Sequence, residues 1–291
     1  MPELPEVEVT RRGIDLPLRG AQVLAVRLGK PLRWPLGRPP EALSGLRVGP
    51  VQRRGKYLWL PLLAGESSLP PAEGPTYGGA LSDAGGLLMH LGMSGSLALL
   101  QHAPEPGPHD HFDLFTNRGT LRLNDPRRFG AVVWSGALDT APAATLLSRL
   151  GPEPFDPALT PASFHAALQS RSSPIKPLLL SGDVVVGAGN IYACEALFRA
   201  RIHPALRGHS ISRPRAERLL AALRSTLARA LDLGGSTLRD FSDAHGVSGA
   251  YQTEAGVYGR AGLPCGACGA PVRRVVQAQR STFFCGVCQK R

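Results

Sequence analysis

The sequence predicts an α+β protein of several domains, and three observations support this fold class. Apolar runs that alternate with polar residues recur between Ala21 and about Trp134, which is typical of antiparallel β-structure. After Ala141 the apolar residues recur at helical spacing instead. Near the end of the chain, four cysteines form two close pairs. We therefore expect an N-terminal antiparallel β-sandwich, a helical domain and a small C-terminal module.

The β-sandwich is expected from short runs separated by turns rich in glycine and proline. Ahead of them, the stretch from Pro5 to Arg12 has helical character. Between Ala64 and Gly86 lies a Gly/Pro/Ser-rich tract without an apolar pattern, where we expect an exposed, mobile loop. The predicted strands lie within Gln22 to Leu28, Lys56 to Leu63, Leu87 to Leu100, His111 to Thr116 and Gly130 to Trp134.

The helical domain is expected from four segments, of which the last is the clearest. In that segment Ser212 is a candidate N-cap, and Gly234-Gly235 should end the helix. Its apolar stripe consists of Leu219, Leu220, Leu223, Leu227, Ala230 and Leu231. The four segments are Pro161 to Leu168, Ile175 to Leu180, Ile191 to Ala200 and Arg213 to Leu233.

The four C-terminal cysteines, Cys265, Cys268, Cys285 and Cys288, have the spacing C-x2-C-x16-C-x2-C. Two such pairs match a tetrahedral zinc site in which each pair is carried by a short turn. Disulfides are the weaker interpretation, because no secretory signal peptide is recognisable and Cys194 would be left over. All four positions are cysteine, so no coordination position is open for substrate. We expect one structural Zn²⁺ that holds a β-hairpin.

The charge balance points to a polyanionic partner. The chain carries 33 Lys and Arg against 22 Asp and Glu, a formal net charge of +11. Such a protein is attracted to nucleic acid through counterion release. No apolar run approaches the ~18 residues of a membrane-spanning helix. We therefore expect nucleic acid as the partner, ahead of a membrane.

The N-terminus offers a nucleophile. If Met1 is removed, Pro2 becomes a free secondary amine next to the carboxylate of Glu3. An α-amine has a pKa of about 8, so a fraction of it is neutral and nucleophilic near neutral pH. Many proteins begin with Met-Pro, so only the rest of the chain can give this pair significance.

The two ends of the chain, taken together, resemble the formamidopyrimidine-DNA glycosylase family, bacterial enzymes that excise 8-oxoguanine and ring-opened purines. Residues 2–8 read PELPEVE, and the four-cysteine finger lies at the other end. Three internal segments agree, in the family's order: HLGMSGS at 90–96, DPRRFG at 125–130, and VGAGNIYA at 186–193 followed by Glu195. The resemblance covers essentially the whole chain, although the 64–86 tract looks longer than the family usually carries.

The resemblance implies a domain plan and a reaction. A catalytic β-sandwich domain with an N-terminal helix should cover 1–137, a helix-two-turn-helix DNA-binding domain 138–252, and a C4 zinc-finger module 253–291. The enzyme would form a Schiff base between its N-terminal proline and C1′ of the damaged nucleotide. It would then nick the strand by β,δ-elimination. Its partner would be double-stranded DNA containing oxidised purines, bound by a monomer in the bacterial cytoplasm.

The resemblance also implies a catalytic group of Pro2, Glu3, Glu6, Lys56 and Arg280. Pro2 is the nucleophile, and Glu3 transfers a proton to the opening sugar ring. Glu6 is a weaker acid/base candidate that can equally serve as a charge at a helix N-terminus. Lys56 and Arg280 stand at phosphate-binding positions. Lys56 is also a rival Schiff-base amine, although Pro2 is preferred.

The other implied residues contact DNA. An enzyme that turns a base out of the stack must fill the gap, and a flexible thioether, a planar donor and an aromatic ring suit that task. Glycine-flanked backbone amides at 187–190 could approach an anion closely. The segment from Ser242 to Tyr251 aligns with the one that closes over the lesion. The gap-filling residues are Met93, Arg127 and Phe129, and the remaining DNA-binding residues are His90, Lys176, Asn190 and Tyr258.

Two alternatives stay open at this point. The endonuclease VIII branch shares the proline and the finger but prefers oxidised pyrimidines, whereas Leu4, Arg127 and Phe129 favour the purine branch. The second alternative is a non-catalytic zinc-finger protein that binds damaged or bent DNA.

Overall fold

The computed structural model describes residues 2–65, 82–236, 244 and 249–291. The chain divides into two compact units, here called the β unit and the helix–finger unit. The β unit comprises Met1–Pro2, Val7–Ser148 and Arg239–Val247. The helix–finger unit comprises Glu3–Glu6, Arg149–Leu238 and Ser248–Arg291. The three-domain plan with boundaries at 137 and 252 stays a prediction.

Helix α1 is longer than the sequence suggested. It spans Leu4–Leu18, although only Pro5 to Arg12 was expected to be helical. Ile14 and Leu18 are fully buried and continue the apolar stripe past Arg12, which explains the extra turns.

The β unit contains two antiparallel sheets, as predicted. One sheet has the order β1-β7-β8-β6, and the other has the order β2-β4-β5-β9 with β3 paired to β4. The strands are β1 (Val23–Leu28), β2 (Arg47–Val48), β3 (Gln52–Arg54), β4 (Tyr57–Ala64), β5 (Ser82–His90), β6 (Ser96–Leu100), β7 (Asp110–Thr116), β8 (Gly119–Asn124) and β9 (Ala131–Ser135).

Both sheets contribute to one core. Leu60 of β4 and Met89 of β5 share a buried cluster with Phe112 of β7, Leu123 of β8 and Leu97 of β6. This shared core confirms the predicted sandwich. On the other face of β4, Trp59 packs with Ala143 of the short helix α2 (Ala143–Leu147).

The loop predicted between Ala64 and Gly86 was too long, because both of its ends belong to strands. Ala64 ends β4, and Ser82–Gly86 belong to β5, where Leu62 pairs with Gly85 and Ala64 with Ser82. Glycines have no side chain, so a strand that contains Gly85 and Gly86 shows no apolar alternation. Residues 66–81 lie outside the described part, and the expected mobility of the loop is not tested there.

The helix–finger unit has a helical core and a C-terminal hairpin. Its helices are α3 (Pro161–Gln169), α4 (Ile175–Ser181), α5 (Asn190–Arg199) and α6 (Arg213–Asp232), which confirms the four predicted helices. Ser212 occupies the N-cap position of α6, but its side chain makes no capping hydrogen bond. The hairpin strands are β10 (Val272–Gln277) and β11 (Arg280–Cys285).

Together the sandwich, the helices and the cysteine-bearing hairpin confirm the α+β class. Within the described residues, no helix has both the length and the apolar character needed to cross a membrane.

Candidate active site and metal centre

The four cysteines of the finger converge on one point. Their sulfur atoms all lie within 4.8 Å of one another. Cys268 Sγ is 3.5 Å from Cys285 Sγ, and Cys265 Sγ is 3.9 Å from Cys288 Sγ. Four thiolates around Zn²⁺ at ~2.3 Å are separated by about 3.8 Å in tetrahedral geometry. The cluster therefore fits one zinc ion with no open position, so the metal's contribution is to hold the hairpin.

Glu3 is held at the N-terminus of α5. Its carboxylate accepts hydrogen bonds from the backbone nitrogens of Gly189 (2.6 Å), Ile191 (2.9 Å) and Tyr192 (3.4 Å). A side chain at Gly189 would place its Cβ 2.3 Å from the Glu3 carboxyl carbon, so the close approach requires glycine. The sequence suggested that amides at 187–190 approach an anion, and in this structure that anion is Glu3 of the chain itself.

Glu6 is also buried, and it has a different set of partners. Its Oε2 accepts a hydrogen bond from the backbone nitrogen of Glu3 at 2.8 Å. Its Oε1 accepts hydrogen bonds from the Tyr192 hydroxyl at 2.5 Å and from the backbone nitrogen of Ser236 at 2.8 Å. These donors surround the carboxylate with groups that suit its ionised form, which only accepts hydrogen bonds. The geometry favours a structural role for Glu6 over acid/base work.

Pro2 and Lys56 belong to the β unit. Pro2 is buried at the start of the chain, and Met1 lies outside the described residues. Lys56 is half-buried in the turn between β3 and β4. It precedes Tyr57, which pairs with His90 across the sheet.

His90 ends β5 beside Lys56. Burial, followed by the positive charges of Lys56 and Arg33, lowers the pKa of His90 to about 4. Its Nδ1 lies 3.0 Å from the backbone nitrogen of Gly92, which donates to it. The ring is therefore neutral near pH 7, and its proton resides on Nε2. His90 consequently presents one N–H donor, and its expected contact with DNA stays a prediction.

The predicted gap-filling residues come from two adjacent loops. Gly92 (φ +63°) lets the 91–95 loop pack on the backbone of Phe129, since a Cβ at Gly92 would lie 2.5 Å from that residue's carbonyl carbon. Met93 Sδ is 3.9 Å from Arg127 Nη1. Phe129 is 50% exposed, which is unusual for a large aromatic side chain and suits insertion into a base stack.

Asp125 anchors these loops, and sequence reasoning gave it no role. It is fully buried, its Oδ1 accepts from the Ser94 hydroxyl at 2.7 Å, and its Oδ2 accepts from the backbone nitrogen of Gly130 at 2.7 Å. A buried carboxylate bonded to both loops fixes the spacing of Met93 and Arg127. The only sequence signal was its place at the start of the DPRRFG motif.

Lys176 lies inside the helix–finger unit. It is fully buried, and its Nζ donates to the Ser281 carbonyl (3.0 Å) and to Thr282 Oγ1 (2.7 Å). Burial lowers the pKa of Lys176, and the nearby Cys194 thiol acts in the opposite direction. In this structure both acceptors belong to the hairpin that carries Arg280, and the expected contact of Lys176 with DNA stays a prediction.

Asn190 and Tyr258 complete this group. Asn190 Nδ2 donates to the same Ser281 carbonyl at 3.0 Å and lies 3.4 Å from the Tyr258 hydroxyl. The Glu195 carboxylate accepts from the backbone nitrogens of Gly256, Val257 and Tyr258 at 2.8–3.0 Å and so fixes the chain around Tyr258. Glu195 and Tyr192 belong to the third internal motif, and the sequence alone did not predict these contacts.

Arg280 follows a tight turn. Ala278 (φ +46°) and Gln279 (φ +59°) both adopt left-handed backbone conformations, and Gln277 pairs with Arg280 across the hairpin. Within the described residues, Arg280 has no carboxylate partner, so its guanidinium charge is available to an external anion. Most of the segment expected to close over the lesion, 242–243 and 245–248, lies outside the described residues.

Three family models match successive parts of the chain. They are described as the formamidopyrimidine-DNA glycosylase N-terminal domain at residues 1–132, the formamidopyrimidine-DNA glycosylase H2TH domain at 150–242, and a zinc finger found in FPG and IleRS at 262–291.

Curated relatives and solved structures agree over the full length. The chain is 56% identical to the formamidopyrimidine-DNA glycosylase of Variovorax paradoxus over 290 residues, covering 100% of both proteins. It is similar to the crystal structure of the Thermus thermophilus MutM (FPG) protein, with 41% identity, a TM-score of 0.84, and coverage of 99% and 98% of the two chains. A mutant Lactococcus lactis FPG in complex with Fapy-dG DNA is 30% identical, with a TM-score of 0.86 and complete coverage of both chains. The chain belongs to the formamidopyrimidine-DNA glycosylase family.

Proposed function

We propose that this protein is a base-excision repair enzyme that removes oxidised purines from double-stranded DNA and then nicks the strand at the resulting abasic site. The observation that carries this proposal is the immobilised Glu3 carboxylate, which three backbone N–H groups hold at the N-terminus of α5. A carboxylate fixed one residue after a potential secondary amine is the pairing that imine chemistry on a sugar needs. Solved structures of family members contain DNA with Fapy-dG or an abasic site.

The reaction begins at Pro2. Its nitrogen lone pair attacks C1′ of the everted nucleotide, the C1′–N bond to the base breaks, and the base leaves with the electron pair. Attack converts the amine into an ammonium, and the ionised Glu3 carboxylate takes that proton. Glu3 then passes the proton to O4′ as the sugar ring opens, which leaves an iminium between Pro2 and C1′.

The iminium acts as an electron sink for strand scission. Loss of a proton from C2′ expels the 3′ phosphate, and a second elimination expels the 5′ phosphate. Hydrolysis of the remaining iminium frees Pro2 and releases the sugar remnant as an unsaturated aldehyde. The product is a one-nucleotide gap with phosphate on both sides.

When the damaged nucleotide turns out of the helix, side chains must fill the gap that it leaves in the base stack. We assign this task to the two loops that Asp125 anchors. Phe129 wedges between base steps, Met93 fills the irregular gap, and Arg127 donates to the orphaned base. The 3.9 Å contact between Met93 Sδ and Arg127 Nη1 supports a joint role.

The DNA backbone is bound by donors from several elements. Lys56 and the Nε2–H of His90 serve in the β unit, and Asn190, Tyr258 and Arg280 serve in the helix–finger unit. Lys176 contributes indirectly, by holding Ser281 and therefore Arg280. One structural Zn²⁺ on the four cysteines stiffens the same hairpin.

The domain boundaries and the cellular location are also part of the proposal. We propose a catalytic domain at 1–137, a DNA-binding helical domain at 138–252 and a zinc-finger module at 253–291. We assign the protein to the bacterial cytoplasm, because four zinc-binding thiolates need a reducing compartment and the relatives are bacterial.

Borohydride trapping tests the proposed chemistry. Wild-type protein incubated with an 8-oxoguanine duplex and borohydride should give a stable protein–DNA adduct, and a variant that retains Met1 should give none. A matched duplex containing 5-hydroxycytosine should trap more slowly. DNA binding without any adduct would instead identify a non-catalytic damage binder.

A further inference from the structure

Two hydrogen bonds connect a core tyrosine to the peptide unit that carries Pro2. The Tyr192 hydroxyl donates to Glu6 Oε1 at 2.5 Å, and Glu6 Oε2 accepts from the backbone nitrogen of Glu3 at 2.8 Å. That nitrogen belongs to the peptide bond between Pro2 and Glu3. Rotation or translation of this peptide bond displaces the amine that precedes it.

We propose that Tyr192 is a positioning residue for the nucleophile and that it acts through Glu6. This inference rests on the proposed role of Pro2. It assigns to the Tyr192 hydroxyl a part in catalysis that requires no contact with DNA, and it removes Glu6 from proton transfer.

The surroundings of Tyr192 support a permanent donor. Its side chain is fully buried, and burial, followed by the negative charges of Glu6 and Glu3, raises its pKa well above the usual value. The hydroxyl therefore stays protonated at every working pH and keeps donating to Glu6. The backbone nitrogen of Tyr192 also donates to Glu3 Oε2 at 3.4 Å, so one residue contacts both carboxylates.

The surroundings of Glu6 oppose a role as a proton carrier. The side chain is 2% exposed, and its two oxygens accept from Tyr192, from Ser236 and from the backbone of Glu3. A Gln side chain at this position would turn an NH₂ group toward one of these donors. Glu6→Gln should therefore break part of the same connection that Tyr192→Phe breaks.

Thr226 provides a control for the loss of a buried hydroxyl. It lies on α6 in the same unit and is fully buried. Its hydroxyl has no hydrogen-bond partner among the residues that the structure describes. Thr226→Val removes a buried hydroxyl at nearly constant side-chain volume and leaves the hydrogen bonds to Glu6 in place.

The test compares single-turnover borohydride trapping on an 8-oxoguanine duplex for wild type, Tyr192→Phe, Glu6→Gln, the double variant and Thr226→Val. Loss of one hydrogen bond to a charged group corresponds to about a tenfold effect, so Tyr192→Phe should trap about tenfold more slowly. The double variant should be no slower than Glu6→Gln alone. Thr226→Val should match wild type, and affinity for an uncleavable abasic-analogue duplex should be unchanged in every variant.

Three results would overturn the inference: trapping by Tyr192→Phe at the wild-type rate, additive losses in the double variant, or a shifted pH–rate profile in Glu6→Gln. If Tyr192→Phe does not fold, the Glu6→Gln profile decides alone. An unchanged profile with slower trapping supports positioning, and a shifted one contradicts it. Absence of an adduct with wild-type protein would instead refute the proposed function itself.

Discussion

Glu3 and Glu6 illustrate what single residues reveal in sequence and in structure. The sequence places two carboxylates near Pro2 and favours Glu3 for proton transfer. For Glu6 it gives equal weight to acid/base catalysis and to a charge that stabilises the helix N-terminus. The structure distinguishes them by their donors, which for Glu3 are amides of α5 and for Glu6 include the Tyr192 hydroxyl. These partners lie 186 to 188 positions away along the chain, so local sequence patterns contain no information about them.

At His90, the lowered pKa predicts a pH dependence of stability. The unfolded side chain titrates near 6.5 and the folded one near 4. The unfolded state therefore binds more protons between these values. The contribution of neutral His90 is present above pH 6.5 and is lost as the pH falls toward 4. His90→Asn should lose stability less steeply than wild type over this range in denaturant titrations.

NMR titration of the imidazole provides the direct check, with an expected midpoint near 4. A midpoint near 6.5 would contradict the lowered pKa, and a midpoint above 7 would contradict the assignment of His90 as a neutral Nε2–H donor at neutral pH. Asn at position 90 retains an acceptor for the Gly92 nitrogen, so the variant separates the loop contact from the phosphate contact.

Arg127 should determine the preference for the base opposite the lesion. Arg127→Ala should weaken the preference for cytosine by ~1–3 kcal/mol, the typical value of a bidentate contact to a base edge. Excision rates on duplexes that pair 8-oxoguanine with each base measure this preference. Arg128→Ala is the control, because Arg128 is exposed and its guanidinium bonds to the Pro31 carbonyl instead. An unchanged preference in Arg127→Ala would mean that the gap-filling residues are misassigned.

At the scale of secondary structure, periodicity predicted the long helices and most strands. Periodicity did not predict β8, which lies between β7 and β6 in its sheet. It also did not predict the glycine-containing start of β5. It also missed the turn before Arg280, because Ala278 and Gln279 lack the Asn-Gly signature of such hairpins. In each case pairing with a neighbouring strand, rather than local residue preference, determines the structure.

The buried hydrogen bond between Lys176 of α4 and Thr282 of β11 predicts a pair of mutations that compensate each other. Lys176→Met leaves Thr282 Oγ1 buried without its donor, which should cost ~1–3 kcal/mol of stability. Adding Thr282→Val removes the orphaned hydroxyl and should restore part of that loss. Chemical denaturation of the two single variants and the double variant measures the coupling. A double variant less stable than the sum of the single losses would contradict this account.

At the scale of the whole molecule, the informative residues lie at the two ends of the chain. The N-terminal PELPEVE and the C-terminal cysteines allowed the family and the zinc site to be predicted without coordinates. The sequence could not show that Lys176 is buried and that its ammonium donates to the hairpin. A buried lysine and an exposed one look identical in a single sequence.

Loss of zinc should separate binding from folding. Cys285→Ser removes one thiolate from the cluster, so the hairpin should lose the order that aims Arg280, and DNA binding should be abolished. The β unit has its own core and should stay folded. Fluorescence anisotropy and circular dichroism measure the two properties. Normal affinity and nicking in the variant would contradict a role for the finger in positioning Arg280.

Peptide mapping of the borohydride-trapped adduct tests the central claim most directly. After digestion of the 8-oxoguanine complex, mass spectrometry should find the sugar remnant on an N-terminal peptide that begins with Pro2 and lacks Met1. Attachment at Lys56, or an active protein that still carries Met1, would contradict the assignment of Pro2 as the nucleophile.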